Sequence, residues 1–431
     1  MLAGLLAPVP DAALWGGAWA VDPLARYFKA LFLLSLGLVV LAGQEFMAGK
    51  PSRDEFFLAL GASTVGMMLL VGAGDLVALF VALELVSIPL YIAASLSRDS
   101  VTSQEAGLKY LIVGAFSSAL FLFGLSFVYG ACGSTGFTEI RAAVSSPVPQ
   151  PLVVAGLVLI LAGAGFKVAV VPFHMWAPDV YQGGPTPMVA FASVASKAAG
   201  FALMIRLLLG VLAGTHEVQI FLLSIIAALT MTVGSLVAIP QTNVRRLLAY
   251  SSVTQAGYIL IGFAAGTERG ATAVLFYLLV YLFTNLGAFI SVMIFYRHAG
   301  SDDIAAYAGL SRRSPLLALA LMLALLSLAG IPPLGGFVGK LYLFAAAMEV
   351  SGRLLWLVVV GAALSIVSLF YYLMVIREVY ISQPTDQSAI RVGPGATIAL
   401  LACVAGMVAT GIWPGPAIDL ARSIATAFFT R

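Results

Sequence analysis

Four ionisable side chains stand inside long apolar stretches of the sequence. They are Glu84 in LFVALELVSIPLY, Lys167 in AGAGFKVAVVPFHMW, Lys197 in ASVASKAAGFALM and Lys340 in GGFVGKLYLF. Desolvation disfavours the charged form of such a group, whereas a nearby opposite charge favours it. A buried lysine beside Glu84 is therefore expected to alternate between its charged and neutral forms. A row of such lysines joined by water predicts proton transfer, and this chemistry needs no cofactor.

Three further residues are candidates for a proton relay. Glu105 and Lys109 are four residues apart, which places them on one face of a helix. His174 follows Pro172, and an imidazole can exchange a proton near neutral pH. We expect His174 to connect Lys167 with the next site along the row.

Purely structural interpretations of these residues stay open at this point. A lysine in a membrane span can extend its ammonium group to the lipid headgroups, and the carboxylates can form static ion pairs. His174 can instead be a hydrogen-bonded residue at a helix break. Lys197 lies deep in its apolar stretch and Lys340 follows two prolines, so neither is well placed to reach the headgroups.

The composition excludes several classes of protein. Of 431 residues, 61% are hydrophobic and only 10% are charged, whereas soluble domains carry about 25% charged residues. The chain is therefore expected to lie in a membrane. Its two cysteines are far apart in sequence, and neither a CxxC nor a glycine-rich nucleotide motif occurs. We expect no cofactor in this chain.

Long apolar blocks predict an all-α membrane protein with about twelve transmembrane helices, since one crossing needs about 20 apolar residues. Two blocks are too long for one straight crossing and too short for two, and both contain prolines that interrupt a helix. The predicted spans are 24–43, 56–72, 76–96, 107–129, 152–187, 188–212, 220–239, 246–266, 271–296, 315–348, 354–376 and 396–413.

The two interrupted blocks predict an internal repeat. Each is the fourth helix of a five-helix unit, and each carries a lysine, Lys167 or Lys340. Because five is an odd number, consecutive units enter the membrane from opposite sides, which makes the repeat inverted and typical of transporters. The predicted segments are a lead with the first helix (1–55), the two units (56–212 and 220–376), and a loop with the last helix (377–431).

Basic residues predict the orientation, because they are enriched on the cytoplasmic side. With the N-terminus outside, the inner loops hold Lys50, Arg53, Arg98, Arg245, Arg246, Arg297, Arg312, Arg313, Arg377 and Arg391. The outer segments hold Arg141, Arg269, Arg353, Arg422 and Arg431. Both termini are therefore expected on the periplasmic side.

Five stretches resemble subunit N of proton-pumping NADH-quinone oxidoreductase, also called respiratory complex I. They are LFVALELVSIPLY, EAGLKYLIVGAFSSALFLFG, GFKVAVVPFHMWAPDVYQGGPTP, QTNVRRLLAYSSVTQAGY and SLAGIPPLGGFVGK. The resemblance runs from about residue 22 to the C-terminus and extends to Mrp-type antiporter subunits. It implies proton-translocating roles for Glu84, Lys167, Lys197 and Lys340, in half-channels that meet along a hydrophilic axis.

The resemblance also implies a setting. The chain is expected in the bacterial inner membrane beside other antiporter-like and small membrane subunits, with NADH, FMN, iron–sulfur clusters and quinone bound by those partners. A subunit of a Mrp-type Na⁺/H⁺ antiporter or of a membrane-bound hydrogenase would use the same residues. A structural scaffold with locked ion pairs is a third possibility.

Two features depart from the family pattern. Family members usually have two further helices before the span at 24–43, and this sequence begins after them. The helix that follows QTNVRRLLAYSS often carries a histidine where this chain has Gln255. Since glutamine does not exchange a proton near neutral pH, a relay at that point is expected to use water or to bypass the site.

Overall fold

A computed structural model describes residues 12–97, 100–145, 150–350, 352–383, 386 and 388–430. Residues 1–11 of the predicted N-terminal lead, together with Arg98 and Arg431, therefore lie outside the described residues. The described chain is nearly all helical, as the apolar blocks predicted. Its only sheet is a two-stranded antiparallel hairpin in which Ala12 pairs with Val21, an element that the sequence did not predict.

Within the described residues, eleven helices are long and apolar enough to cross a membrane, and two shorter apolar helices, Pro315–Ala329 and Gly335–Met348, follow one another in the chain. The hairpin strands are β1 (Ala12–Leu14) and β2 (Trp19–Val21). The helices are α1 (Pro23–Phe46), α2 (Arg53–Gly72), α3 (Leu76–Ser95), α4 (Val101–Cys132), α5 (Phe137–Ala143), α6 (Pro151–Val168), α7 (Trp176–Gly183), α8 (Thr186–Val211), α9 (His216–Ala238), α10 (Val244–Ala265), α11 (Glu268–Ala299), α12 (Leu310–Arg313), α13 (Pro315–Ala329), α14 (Gly335–Met348), α15 (Leu355–Tyr380), α16 (Pro394–Ile412) and α17 (Gly415–Phe429).

Polar residues at the helix ends satisfy backbone groups that have no partner inside a helix. The side chain of Asp22 accepts a hydrogen bond from the N–H of Ala25 at the start of α1. Asn243 accepts from the N–H of Arg246 at the start of α10 in the same way. These caps fix where the spans begin.

Both predicted interruptions are present, and both begin with a residue in the left-handed conformation. Helix α6 ends at Val168 and is followed by Ala169, whose φ is 58°. Helix α13 ends at Ala329 and is followed by Gly330, whose φ is 89°. The chain then turns over residues 169–175 and 330–334 before α7 and α14 begin.

The helices differ in how deeply they are buried. Helices α8 and α10 are enclosed along their whole spans and α11 nearly so, whereas only about a third of the residues in the spans of α4, α15 and α16 are buried. Helix α8 also contains two π-helical segments, Ala192–Ser196 and Ile205–Val211, which sequence patterns do not reveal.

The C-terminal region contains more structure than predicted. A single last helix was expected after residue 376, but α16 is followed by α17, which packs against α11 and α1. Helix α17 buries Ile418, Ala421, Ile424 and Ala425 on one face. Its 15 residues are too few for a span, since a membrane needs about 20.

Candidate functional site

Lys167 lies in the last turn of α6, immediately before the first break, and is 3% exposed. Its Nζ donates a hydrogen bond to Ser87 Oγ on α3 at 2.8 Å. The Ser87 hydroxyl hydrogen is directed to the carbonyl of Leu83, so the oxygen is free to accept. A lysine held in this way contacts only a neutral group.

Glu84 lies one helical turn before Ser87 on α3, which places it on the same side of the helix as the Lys167 contact. Its carboxylate accepts a hydrogen bond from Ser118 Oγ on α4 at 2.5 Å. Among the described residues Glu84 and Lys167 form no ion pair. The carboxylate is close enough to act on Lys167 through its field without being locked to it.

Lys197 follows the π-helical segment Ala192–Ser196 in the middle of α8 and is 2% exposed. Its Nζ donates to the backbone carbonyl of Ser252 on α10 at 2.8 Å. The hydroxyl of the same serine accepts from Tyr281 on α11 at 2.9 Å. Lys197, on α8, is thus hydrogen-bonded to α10 at the serine that also joins α10 to α11.

Lys340 lies on α14, after the second break, and folds back onto the end of α13. Its Nζ donates to the carbonyls of Leu328 and Ala329, both at 2.9 Å, and to Ser365 Oγ at 2.8 Å. It also lies 4.4 Å from the ring centroid of Tyr258. The broken helix thus exposes carbonyl groups at its C-terminal end, where a cation is favourable.

Gln255 joins the second break to a group of buried hydroxyls. Its Nε2 donates to the carbonyl of Leu328 at 3.0 Å, the same oxygen that Lys340 contacts. Its Oε1 accepts from Tyr277 at 2.5 Å, and its Nε2 lies 3.4 Å from the hydroxyl of Tyr372. Tyr372 is hydrogen-bonded to Ser251 at 2.5 Å, one residue before the serine that holds Lys197.

The four predicted residues do not contact one another directly. Lys167, Lys197 and Lys340 are enclosed, and none of them forms an ion pair among the described residues, whereas Glu84 is half-buried. Each lysine donates only to hydroxyl or carbonyl oxygens, which accept from an ammonium and, more weakly, from a neutral amine. Lys167 and Lys197, with one acceptor each, can lose a proton and keep that hydrogen bond, whereas Lys340 has three acceptors and a neutral amine has only two N–H groups.

The predicted pair of Glu105 and Lys109 is part of a larger charged cluster at the start of α4. Lys109 Nζ lies 2.7 Å from Glu105 and 2.8 Å from Asp179 on α7. The second oxygen of Asp179 is 2.7 Å from Arg246 on α10. Sequence reasoning placed the Glu105–Lys109 pair but did not include Asp179, although its charge in PFHMWAPDVYQGG was a visible signal.

The structure does not place His174 in a hydrogen bond with Lys167. Its Nδ1 is buried without a hydrogen-bond partner, in the turn between α6 and α7. Among the described residues no three His, Cys, Asp or Glu side chains are grouped so that they could hold a metal ion.

Comparison with known proteins places these observations in a family. A model described as NADH:quinone oxidoreductase/Mrp antiporter, TM, matches residues 73–365. NADH-quinone oxidoreductase subunit N of Moorella thermoacetica is 45% identical over 415 residues, which cover 96% of this chain and 87% of that protein. The chain belongs to the NADH-quinone oxidoreductase subunit N family.

Comparison with solved structures supports the same family assignment. A chain of respiratory complex I from Thermus thermophilus matches with a TM-score of 0.83 and 37% identity over 98% of this chain and 91% of its own length. A chain of the Mrp complex from Dietzia sp. matches with a TM-score of 0.88 but only 23% identity over 99% of this chain and 90% of its own length. The second likeness is one of fold alone.

In this subunit N family member, the sequence analysis did not predict the buried ion pair between Arg206 and Asp22. Arg206 is 8% exposed and makes two hydrogen bonds to the carboxylate of Asp22, at 2.6 and 2.7 Å. It also donates to the carbonyl of Val71 at 2.9 Å. Its position inside the apolar block 188–212 was the available signal. Because both charges are paired, Arg206 differs from the three lysines.

Proposed function

We propose that the chain translocates protons across the membrane as a subunit of an NADH-quinone oxidoreductase, along Glu84, Lys167, Lys197 and Lys340. The observation that carries the proposal is the absence, among the described residues, of any ion pair to the three enclosed lysines. An isolated charge in a membrane interior is costly and is rarely retained without a function. If these lysines had a purely structural role, we would expect them to form ion pairs, as Arg206 and Asp22 do in this chain.

The hydrogen bonds that lie between Lys340 and Lys197 support a route from one of these lysines to the other. From Lys340, the carbonyl of Leu328 leads to Gln255, and Gln255 contacts the hydroxyl groups of Tyr277 and Tyr372. Tyr372 reaches α10 at Ser251, beside the serine that holds Lys197. Because an amide is a poor proton carrier, the transfer past Gln255 runs through these hydroxyls and water rather than through the side chain itself.

The electron-transfer chemistry belongs to partner subunits in this proposal. NADH, FMN, iron–sulfur clusters and quinone are bound there, and the present chain contributes the membrane route. Relatives that are more than 40% identical and are named NADH-quinone oxidoreductase subunit N support this assignment. They favour it over a Mrp-type Na⁺/H⁺ antiporter or a membrane-bound hydrogenase.

The proposed setting is the bacterial inner membrane, with both termini on the periplasmic side. The charged cluster of Glu105, Lys109, Asp179 and Arg246 then faces the cytoplasm. Neighbouring antiporter-like and small membrane subunits would cover part of the exposed apolar surface.

The decisive experiment removes Lys197 in the assembled complex. In membrane vesicles, Lys197→Ala is expected to lower NADH-driven proton uptake about tenfold, equivalent to about 1.4 kcal/mol in the barrier. The amount of assembled complex should be unchanged on a native gel. Lys50→Ala is the matched control, because Lys50 lies in a loop and contacts the ring of Phe46.

Two results would contradict the proposal. Assembled Lys197→Ala complex that pumps at the wild-type rate would remove the lysine from the route. If Lys197→Ala lowers the amount of assembled complex, but the complex that does assemble pumps normally, the result would instead support a structural role for Lys197. Proton uptake that requires Na⁺ in the same vesicles would favour the antiporter alternative.

A further inference from the structure

A polar cavity of about 460 Å³ opens beside Asn243 and the segment 300–303. Four carboxylates line it together with two cationic side chains, so its wall carries a net negative charge. We call this cavity the vestibule; its charged lining residues are Glu105, Asp179, Asp302, Asp303, Lys109 and Arg245. A negatively charged cleft raises the local concentration of cations, including hydronium.

Asp302 and Arg245 form a buried ion pair at the wall of the vestibule. They are 6% and 8% exposed, and each keeps one polar atom without a hydrogen-bond partner, Asp302 Oδ1 and Arg245 Nε. Buried polar atoms are nearly always satisfied by protein or by water. These two atoms are therefore the part of the ion pair that a bound water would satisfy.

The other carboxylates of the vestibule are held differently. Both oxygens of Asp179 are engaged, one by Lys109 and the other by Arg246. The side chain of Glu105 is 58% exposed, and Asp303 is also exposed. Only Asp302, among these four, combines burial with an oxygen that has no partner.

Burial raises the pKa of the Asp302 carboxyl above its ordinary value, the Arg245 guanidinium opposes that rise, and the neighbouring Asp303 carboxylate adds to it. The hydroxyl of Tyr307, which is also buried without a partner, is close enough to feel the charge of Asp302. Asp302 is thus the vestibule carboxyl best suited to bind and release a proton.

Two further buried polar atoms without partners belong to Tyr181, which precedes the vestibule residue Gln182 in sequence, and to Asn285, which contacts the helix of Lys197. The hydroxyl of Tyr181 and Oδ1 of Asn285 are both buried without a hydrogen bond. The ring centroid of Tyr181 lies 5.7 Å from that of Phe289, which is one turn from Asn285 on α11. Asn285 donates to Ser193 Oγ at 2.8 Å, one turn before Lys197 on α8.

The spacing of residues along helix α10 indicates how far the vestibule lies from Lys197. Arg245 and Ser252 are seven residues apart, which places them on one face of the helix about 10 Å from each other. The carbonyl of Ser252 is the hydrogen-bond partner of Lys197. The buried ion pair of the vestibule therefore lies two helical turns from the lysine.

We propose that Asp302 is the group through which protons enter the chain from the vestibule, with Arg245 as its counter-ion. This inference rests on the proposed function. Asp302 Oδ1 forms an O–H bond with a proton from hydronium, and the neutral carboxyl is then held less strongly by Arg245. Water between Tyr181, Asn285 and Ser193 carries the proton on to the neutral amine of Lys197. An N–H bond forms there, and Asp302 returns to its carboxylate form.

Asp302→Asn in the assembled complex tests the proposal. It is expected to lower NADH-driven proton uptake by vesicles about tenfold, and to remove a carboxylic acid band from the infrared difference spectrum of turnover. A purely structural role would not produce that band. Asp54→Asn is the control, because Asp54 is an exposed aspartate at the start of α2 and is not among the lining residues of the vestibule; its uptake should stay within about twofold of wild type.

A second variant keeps the test valid if Asp302→Asn leaves Arg245 uncompensated and prevents assembly. The double variant Asp302→Asn, Arg245→Gln removes both charges and keeps two polar side chains in place. We expect it to assemble and to take up protons at the same low rate. Wild-type uptake by the assembled single or double variant would overturn the inference.

The failure of this inference and that of the proposed function are distinguishable. If Lys197→Ala stops proton uptake but the Asp302 variants do not, protons enter elsewhere and the proposed function stands. If Lys197→Ala pumps normally, the proposed function fails whatever the Asp302 variants do.

Discussion

Lys167 precedes the break in its span, whereas Lys340 follows the break in the other. Lys167 reaches across to a neighbouring helix and uses one N–H, to the hydroxyl of Ser87. Lys340 turns back onto its own broken helix and uses three N–H groups. Two donate to the carbonyls of Leu328 and Ala329, and the third donates to the hydroxyl of Ser365 on α15. The two breaks therefore hold their lysines by different groups, although both interrupt a helix with a left-handed residue.

Because their contacts differ, the charge of each lysine is sensitive to a different change in its surroundings. An ammonium has three donors, and the contacts of Lys340 match all three, so its charge is coupled to the backbone at the end of α13. Among the described residues Lys167 has an acceptor for only one of its N–H groups, and the carboxylate on its partner helix is Glu84, one turn from Ser87. The first break thus suits control by a neighbouring charge, and the second suits control by the conformation of the break.

Among variants at the two breaks, Lys340→Ala should have the largest effect. We expect coupled turnover to fall about tenfold, or about 1.4 kcal/mol. The complex should still assemble, because Leu328 and Ala329 keep hydrogen bonds from Gln255 and Ser365. NADH oxidation coupled to proton uptake measures the effect, and Ser365→Ala, which removes one acceptor, is the control. Unchanged pumping would show that the second break needs no cation.

Lys167→Ala should have the next largest effect. We expect coupled turnover to fall about fivefold, or about 1 kcal/mol. Ser87 keeps its hydrogen bond to Leu83, so the local structure has little to lose. Proton uptake per assembled complex is the measurement, and Ser87→Ala separates the loss of the hydroxyl from the loss of the amine. A larger effect than that of Lys340→Ala would reverse the comparison between the two breaks.

Glu84→Gln tests whether the first break responds to a charge. The glutamine oxygen can still accept from Ser118, so only the negative charge is removed. We expect proton uptake to slow about threefold, or about 0.7 kcal/mol, and the double variant with Lys167→Ala to show no additional loss. Uptake equal to that of wild type would remove Glu84 from the mechanism.

Gln255→His should have the smallest effect, less than about twofold in coupled turnover. One ring nitrogen can donate to Leu328 and the other can accept from Tyr277, as the amide does now. Gln255→Leu, which removes both bonds, is the comparison and should be the more damaging. A histidine variant that fails to assemble would show that the second break is packed too tightly for a ring.

Much of the architecture was predictable because it depends on local composition. Prolines and glycines in two overlong apolar blocks located both breaks, and the depth of Lys167, Lys197 and Lys340 singled them out before any coordinates. The inverted relation of the two five-helix units stays a prediction. Asp179 was overlooked because its two partners, Lys109 and Arg246, lie on helices that are distant in sequence.

The sequence by itself determined the membrane class, the spans and the ionisable residues inside them, because hydropathy and helix interruption are properties of short segments. Only the tertiary structure decided which oxygen atoms each lysine contacts, that Gln255 shares a carbonyl with Lys340, and that Asp302 is buried against Arg245. Those contacts join helices far apart along the chain, and the packing of side chains in three dimensions selects them from many combinations that the sequence allows.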